Sequence, residues 1–207
     1  MSLNVMVLEG DHGAAARAVR ELTDAGHVVL RCHEPGHSKF PCKGIEDQTA
    51  CPLRSHVVDV ALTVRSRPRS EPAAGEDGVR CALMHRVPLV VAGPAVLDPY
   101  ERYEARVLDR TDDVVGAVEE VAAGVFARHS RIATDALMAA PTASEELAGA
   151  RATVTRRQGR LLMSVSGLHA LAPRRRDAAI VRAMAKVREF DSSARGIDVV
   201  LAPEVTV

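Results

Sequence analysis

The chain has 207 residues, 47% of them hydrophobic, and its 27 basic and 27 acidic residues give a formal net charge of zero. This length exceeds one small domain, and the apolar share suffices for a sizeable core without disulfide bonds. No stretch approaches the roughly 20 apolar residues that span a membrane, and the first residues lack the pattern of a secretory signal. We therefore predict a cytoplasmic protein without a membrane segment, whose cysteines bind metal, catalyse or lie buried.

The charge is unevenly distributed along the chain. Residues 1–150 carry 16 basic and 22 acidic side chains, a difference of −6, whereas residues 151–207 carry 11 and 5, a difference of +6. This asymmetry favours either an acidic partner for the C-terminal part or attraction between the two parts of the chain.

The N-terminal half alternates short apolar runs with helical patterns. Strands and helices that alternate in this way build parallel sheets, so we predict an α/β fold with a five-stranded doubly wound sheet. A long helix should begin near residue 113 and run toward residue 140. The other predicted helices are Asp11–Ala25 and Glu76–Arg86, and the predicted strands are Leu3–Leu8, His27–Arg31, Val57–Val64, Val87–Ala92 and Arg106–Leu108.

Two stretches resemble the receiver domain of response regulators. VMVLEGDHGAAARAVRELTDAGHVVLRC is similar to the opening of that domain, and GVRCALMHRVPLVVAG resembles its third helix and fourth strand. The resemblance covers roughly residues 3–122. It implies a flavodoxin-like sheet of order 2-1-3-4-5, and it matches Glu9 and Asp11 to the acidic pair that holds Mg²⁺ in receivers.

The chain departs from the receiver pattern where phosphorylation takes place. The phosphoacceptor aspartate should end the third strand, but Thr63, Val64 and Arg65 stand there. Ala92-Gly93 replaces the hydroxyl residue after the fourth strand, and no lysine closes the fifth. We therefore predict a degenerate receiver-like domain that is not phosphorylated, over residues 1–125.

The segment between the second and third strands has neither a helical nor a strand pattern. About 25 irregular residues inside a compact domain are uncommon unless they are functional. In the expected sheet this segment takes the place of the second crossover helix, beside the helix that carries Cys81, so the fold should bring four cysteines together. The segment, residues 32–56, contains Cys32, Cys42 and Cys51 together with His33, His37 and His56.

Cysteine spacing leaves the nature of this predicted metal site open. Zinc knuckles have the pattern C-x₂₋₄-C, but 9, 8 and 29 residues separate these four cysteines. Four isolated cysteines, two of them beside prolines, suit an iron–sulfur cluster held by four thiolates somewhat better than zinc, and this cluster is the cofactor that we predict. His33, His37 and His56 could instead complete a mixed Cys/His zinc site. The cysteines could also be small core residues or include a catalytic thiol.

Residues 149–207 predict a small α+β domain of order ββαβ, which a connecting helix and linker over residues 126–148 joins to the first domain. Two strands form a hairpin about Gln158-Gly159, and an amphipathic helix and a last strand follow. This part resembles the alkaline-shock protein family in element order and closing strand. The predicted elements are strands Arg151–Arg157 and Arg160–Ser166, helix Arg174–Phe190 and strand Ile197–Leu201.

Three successive arginines, 174–176, stand where this last helix begins. Cations are disfavoured there by the helix dipole, so an acidic partner would relieve them. We predict a protein partner or self-association through residues 149–207. Nucleic-acid binding is the weaker alternative, because no aromatic residues interleave with the arginines.

Together these patterns favour a metal-binding, iron–sulfur, receiver-like regulatory or sensor protein. A zinc-stabilised structural adaptor is one alternative. The others are an enzyme whose site lies beside the cysteines, for which the sequence assigns no catalytic residue, and a nucleic-acid binder that uses the basic C-terminal part.

Overall fold

The chain folds into two compact units, residues 1–122 and 123–207, in the computed structural model. Within the described part of the chain, no helix is both long and apolar enough to cross a membrane. The structure describes residues 2–33, 42–94, 96–109, 113–139, 147, 149–157, 160–191 and 196–202.

The first unit is built on a sheet of five parallel strands in the order β2-β1-β3-β4-β5. This arrangement confirms the predicted α/β class, the doubly wound sheet and the strand order. The sequence places most strands within three residues of their observed bounds. The strands are β1 (Asn4–Glu9), β2 (Val28–Arg31), β3 (Val60–Val64), β4 (Leu89–Ala92) and β5 (Glu104–Leu108).

The central strands are apolar because helices or loops cover both of their faces. All residues of β3 and β4 are buried, as are the four middle residues of β1. Met6 and Leu8 of β1 share one core with Val79 and Ala82, which lie on helix α4 (Asp77–Met84). Fully buried strands of this kind read as continuous apolar runs, which is why the sequence pattern locates them.

Helix α1 (Ala16–Asp24) begins five residues later than predicted. Residues 11–15 form turns instead, with Gly13 at a φ of +76° and the amide of Ala14 bonded to the carbonyl of Asp11. Gly13 has the left-handed backbone that glycine adopts at little cost. The carboxylate of Asp11 accepts a hydrogen bond from the amide of Ser66, so it is bonded to the loop that follows β3.

The described part of the cysteine-rich segment contains two single-turn helices, although the sequence predicts no regular structure there. They are α2 (Lys43–Glu46) and α3 (Pro52–Ser55), separated by the 3-10 turn Gln48–Ala50. The carboxylate of Asp47 accepts a hydrogen bond from the amide of Thr49, 2.8 Å away, and so starts the 3-10 turn. These helices are too short for periodicity to reveal them.

The C-terminal unit has a three-stranded sheet of order β6-β7-β8. The hairpin strands are antiparallel, whereas β8 runs parallel to β7. Helix α5 (Val114–Met138) crosses the boundary between the two units, and its later part belongs here. The other elements are β6 (Arg151–Arg157), β7 (Arg160–Ser166), α6 (Pro173–Phe190) and β8 (Ile197–Leu201), and the three strands have the predicted bounds.

Alternate residues of this hairpin are buried, as the sequence pattern indicates. Val154, Met163 and Val165 face the core, which also contains Ala183 and Val187 of α6. The hydroxyl of Ser130 on α5 accepts a hydrogen bond from the amide of Val154 at 2.8 Å. The predicted turn residues, Gln158 and Gly159, lie outside the described residues, as do residues 140–146 and 148 of the predicted connecting helix and linker.

Candidate metal centre

Three cysteines of residues 32–56 lie near Cys81 of α4 in the N-terminal unit, and we call Cys32, Cys42, Cys51 and Cys81 the cysteine cluster. Cys32 follows β2, Cys42 precedes α2, Cys51 caps the start of α3, and Cys81 lies on α4. The thiols of Cys42, Cys51 and Cys81 all lie near enough to the thiol of Cys32 to raise its pKa.

The surroundings of the cysteine cluster oppose thiolate formation in the metal-free protein. Burial and the neighbouring thiols of Cys42, Cys51 and Cys81 raise the pKa of Cys32 to about 12. Burial, Cys51 and Cys42 likewise raise the pKa of Cys81, although its side chain is exposed. Several thiolates together repel one another, so an added cation would favour them. The cysteine cluster is therefore open to solvent at Cys81, and a positive charge bound there would stabilise its thiolates.

Two glycines allow the backbone to approach the cysteine cluster closely. A Cβ atom on Gly78 would lie 3.2 Å from Sγ of Cys32 and 2.6 Å from Cδ2 of Leu8. A Cβ atom on Gly44 would lie 2.8 Å from Cβ of Cys51. Side chains at these positions would push α4 away from Cys32 and α2 away from Cys51. The packing of the cluster thus depends on both glycines.

The three histidines of the segment have different positions. His33 is half-buried directly after Cys32. His56 is exposed, and its Nδ1 lies 2.9 Å from the hydroxyl of Ser55. His37 lies outside the described residues.

Across the described ranges, no set of three or more His, Cys, Asp or Glu side chains stands at the mutual spacing of a metal-ion site. Binding of a single ion at the cysteine cluster would thus require the described side chains to rearrange. Cys42 and Cys51 lie beside short helical segments of a single turn, α2 and α3. Such segments adapt their side chains to a ligand more easily than strands do.

The acidic pair matched to the receiver Mg²⁺ site makes contacts with arginines. Oδ1 of Asp11 lies 2.7 Å from a guanidinium nitrogen of Arg69, and Oδ2 accepts a hydrogen bond from the amide of Ser66 at 2.9 Å. Although burial opposes ionisation, these bonds lower the pKa of Asp11 to about 2. Oε1 of Glu9 lies 4.0 Å from Arg31. Guanidinium groups thus supply positive charge to both carboxylates.

Arg65 stands at the end of β3, where a receiver has its phosphoacceptor. Its guanidinium is buried, with Nε 2.6 Å from Glu76 and Nη1 3.0 Å from Asp98. The hydroxyl of Thr63 donates a hydrogen bond to the same Glu76 oxygen at 2.7 Å, and the ring of Tyr100 packs against the guanidinium. Because Glu76 directly precedes α4, this network fixes the start of the helix that carries Cys81.

A groove of about 150 Å³ lies at the carboxyl edge of the sheet. Residues of α1, the ends of β3, β4 and β5 and the start of α5 line it, and no cysteine is among them. The carboxyl edge is where doubly wound sheets bind ligands. The titratable side chains lining this groove are Arg17, Glu21, Arg65 and Asp109.

Sequence reasoning finds the four cysteines but misses the residues that pack and anchor them. Gly44 stands two residues after Cys42, and Gly78 stands three residues before Cys81, which is one helical turn. A glycine within three residues of a cysteine in the sequence could have indicated that the backbone packs closely at this site. The pairing of Arg65 with Glu76 has no such signal, because 24 of the 27 basic residues are arginine.

The comparisons with known proteins add no family to this picture. No protein-family model matches the chain, and a search of curated proteins finds no relative. The structure therefore supports the flavodoxin-like architecture of the first unit, and neither a receiver nor an alkaline-shock identity follows from it.

Proposed function

We propose that the cysteine cluster holds an iron–sulfur cluster and that the protein is a regulatory or sensor protein that is not phosphorylated. The observation that carries this proposal is the nearness of three thiols of residues 32–56 to one another and to Cys81 of α4. Four thiolates are the usual ligand set of such clusters, and soft sulfur ligands favour iron–sulfur chemistry or zinc over harder ions.

A bound cation would relieve the repulsion among neighbouring thiolates at this site. The pKa of Cys32 is raised to about 12 by burial and by the neighbouring thiols. Metal binding would replace the thiol protons, and its free energy would then also stabilise the short helices α2 and α3. A sensor needs an accessible site, and the exposed Cys81 leaves the cysteine cluster open on one side.

Two features support a regulatory function rather than phosphorylation. Arg69 and Ser66 engage Asp11, and the buried Arg65 occupies the phosphoacceptor position with Glu76 and Asp98 as partners. The second unit, whose residues 151–207 carry a charge difference of +6, offers a surface for an acidic protein partner or for self-association.

Anaerobic purification of the full chain, followed by measurement of iron, acid-labile sulfide and zinc per chain, tests this proposal. We expect iron and sulfide together with the visible absorption of a cluster. Each of Cys32→Ser, Cys42→Ser, Cys51→Ser and Cys81→Ser should lower the iron and sulfide content, whereas the exposed His56→Ala should leave it unchanged. A serine variant with full iron content contradicts that ligand assignment.

Zinc is the alternative that the same measurement identifies. A colourless preparation with one zinc ion per chain and no sulfide would replace the proposed cluster by a structural zinc site. In that case a loss of zinc from His56→Ala would assign this histidine as a ligand.

A further inference from the structure

Strand β8 forms one edge of the C-terminal sheet, since β7 is its only strand neighbour in the described ranges. The hydrogen bonds to β7 at both ends of β8 come from even-numbered residues. The amide of Ala202 donates to the carbonyl of Val165 at 2.8 Å, and the carbonyl of Gly196 accepts from the amide of Leu161 at 3.1 Å. Because successive residues of a strand direct their backbone groups to opposite sides, the odd-numbered residues of β8 direct theirs away from β7.

The edge that β8 presents is apolar. Val200 is 51% exposed and Leu201 is 40% exposed. The charged residue of this strand, Asp198, accepts two hydrogen bonds of 2.7 Å from Arg160 on β7, so its charge is neutralised within the sheet. Proteins usually protect an edge strand with free charges, bulges or proline. β8 keeps a regular register with β7 and carries none of these.

The other edge of this sheet, β6, is protected by charge. Arg151 and Arg157 stand at its two ends, and both are exposed. If two β6 strands paired antiparallel about Val154, Arg151 of one copy would lie opposite Arg157 of the other, and like charges in opposite positions are destabilising. The sheet thus has one edge that repels its own copy and one that does not.

We infer that the protein forms a two-fold dimer in which the β8 strands of two copies pair antiparallel about Val199. In this register Ile197 of each copy lies opposite Leu201 of the other, and Val199 lies opposite its own copy. These are the residues whose backbone groups face away from β7, and residues opposite each other in this way exchange both of their hydrogen bonds. The pairing is closed, because it leaves no β8 edge for a third chain.

The side chains of two copies also match in this register. The exposed Leu201 of each copy would lie beside Ile197 of the other, which is buried in its own unit, and such apolar pairs across strands are stabilising. On the opposite face of the sheet, Val200 would lie beside Asp198, whose charge Arg160 already neutralises. The edge offers no free positive charge to an acidic partner, so the occupant that fits it is a second copy.

This inference deepens the proposed function, because it names a second copy of the chain as the partner of the C-terminal unit. Sedimentation equilibrium of the full chain at increasing concentration tests it, and we expect the mass of two chains at high concentration. Hydrogen–deuterium exchange above and below the dissociation constant then locates the contact. Residues 196–202 should exchange more slowly in the dimer. A chain that stays monomeric, or a dimer that leaves the exchange of residues 196–202 unchanged, would overturn the inference.

A charged residue at the edge should weaken the dimer. Val200→Glu places a carboxylate opposite Asp198 of the other copy, and by symmetry it acts twice in each dimer. We expect the dissociation constant to rise at least about tenfold. The matched control is Val181→Glu, the same change at a valine of α6 that is 63% exposed. It should leave the dissociation constant unchanged.

A second variant acts on the backbone. Val199→Pro removes the amide that donates at the two-fold axis, and a sheet tolerates proline where the amide faces away from the neighbouring strand. This variant should stay monomeric and keep the circular dichroism of the unmodified chain. A dimer that persists unchanged in both Val199→Pro and Val200→Glu would contradict the pairing through β8.

The iron and sulfide contents of the same samples separate this inference from the proposed cluster, since no cysteine takes part in the β8 pairing. A monomer with full iron content would overturn the dimer alone. A dimer that contains neither iron nor sulfide would overturn the cluster alone.

Discussion

The guanidinium of Arg65 lies with its Nε 2.6 Å from Oε1 of Glu76, and neither side chain is exposed to solvent. A buried ion pair is expensive to break, because removal of one partner leaves the other charge in a medium of low polarity. In this protein the pair also joins the end of β3 to the start of α4. The position of Cys81 in the cysteine cluster therefore depends in part on this ion pair, to which no cysteine contributes.

Replacement of Arg65 by Met should lower the free energy of unfolding by about 3–5 kcal/mol, since Glu76 and Asp98 would lose their buried cation. Urea denaturation of the metal-free chain measures this change. The matched control is Arg17→Met, which removes an exposed pair with Glu21 and should cost at most about 0.5 kcal/mol. Equal effects of the two changes would show that the buried network does not anchor the sheet.

A methyl group at position 78 should disturb the cysteine cluster. Gly78→Ala would place its Cβ 2.6 Å from Cδ2 of Leu8 and 3.2 Å from Sγ of Cys32. We expect a loss of about 1–3 kcal/mol in unfolding free energy from overpacking, together with a lower metal content. The control Gly124→Ala lies in the exposed interior of α5 with no neighbour within 4 Å, so it should stabilise the protein by about 0.5–1 kcal/mol.

Alkylation of Cys32 in the metal-free protein should be slow at pH 8. The reactive species is the thiolate, and burial with the three neighbouring thiols raises the pKa of Cys32 to about 12 from the ordinary 9.0. The thiol thus stays protonated as the pH rises past 9, and its alkylation rate should go on increasing toward pH 12. Peptide-resolved mass spectrometry after timed treatment with iodoacetamide measures this profile, with the urea-denatured chain as control. A midpoint near 9 in the folded chain would contradict this account of the site.

Glu104 should make the protein less stable as the pH rises from about 4.5 to about 6. Burial and the nearby carboxylates of Asp98 and Glu101 raise the pKa of Glu104 to about 6, while Arg65 partly offsets them. The folded chain therefore keeps a proton in this window that the unfolded chain has lost, and stability falls as that proton leaves. Glu104→Gln should remove this slope and add up to about 1 kcal/mol at pH 7, a value reduced for partial solvent screening.

Unfolding free energies at pH 4.5 and pH 7 measure this difference. The exposed Glu120→Gln, which lies 3.8 Å from Arg106, is the control and should leave the slope unchanged. A slope that persists in Glu104→Gln would assign the pH dependence to other carboxyls.

The sequence predicts the sheet well because each strand is set by local apolar patterning. The strands of the C-terminal unit have the predicted bounds, and the order of the N-terminal sheet is the one that the resemblance to receiver domains implies. The helix starts are predicted less well. α1 begins at Ala16, whereas Asp11, the predicted first residue of this helix, bonds to Ser66, 55 residues away along the chain, and local propensity does not encode that contact.

The candidate site is predictable only in part, because its packing also depends on contacts between residues distant in the sequence. Cysteine positions and the missing crossover helix can be read from the sequence. The nearness of the other three thiols to Cys32, and the close packing of Gly78 on Cys32, depend on how the segment of residues 32–56 folds against α4. The metal itself stays a prediction, since spacings of 9 and 8 residues match no established knuckle pattern.

In the C-terminal sheet β6 and β7 are antiparallel, whereas β7 and β8 are parallel. The two pairs of strands should therefore form one after the other during folding. The β6–β7 hairpin can close within microseconds, whereas 30 residues, 167–196, lie between β7 and its parallel neighbour β8. Until β8 arrives, β7 is an open edge with Leu161, Met163 and Val165 along it, a template for pairing with other chains. The two hydrogen bonds of 2.7 Å from Arg160 on β7 to Asp198 on β8 then help to hold β8 against β7. Aggregation during refolding should thus be greatest before β8 docks.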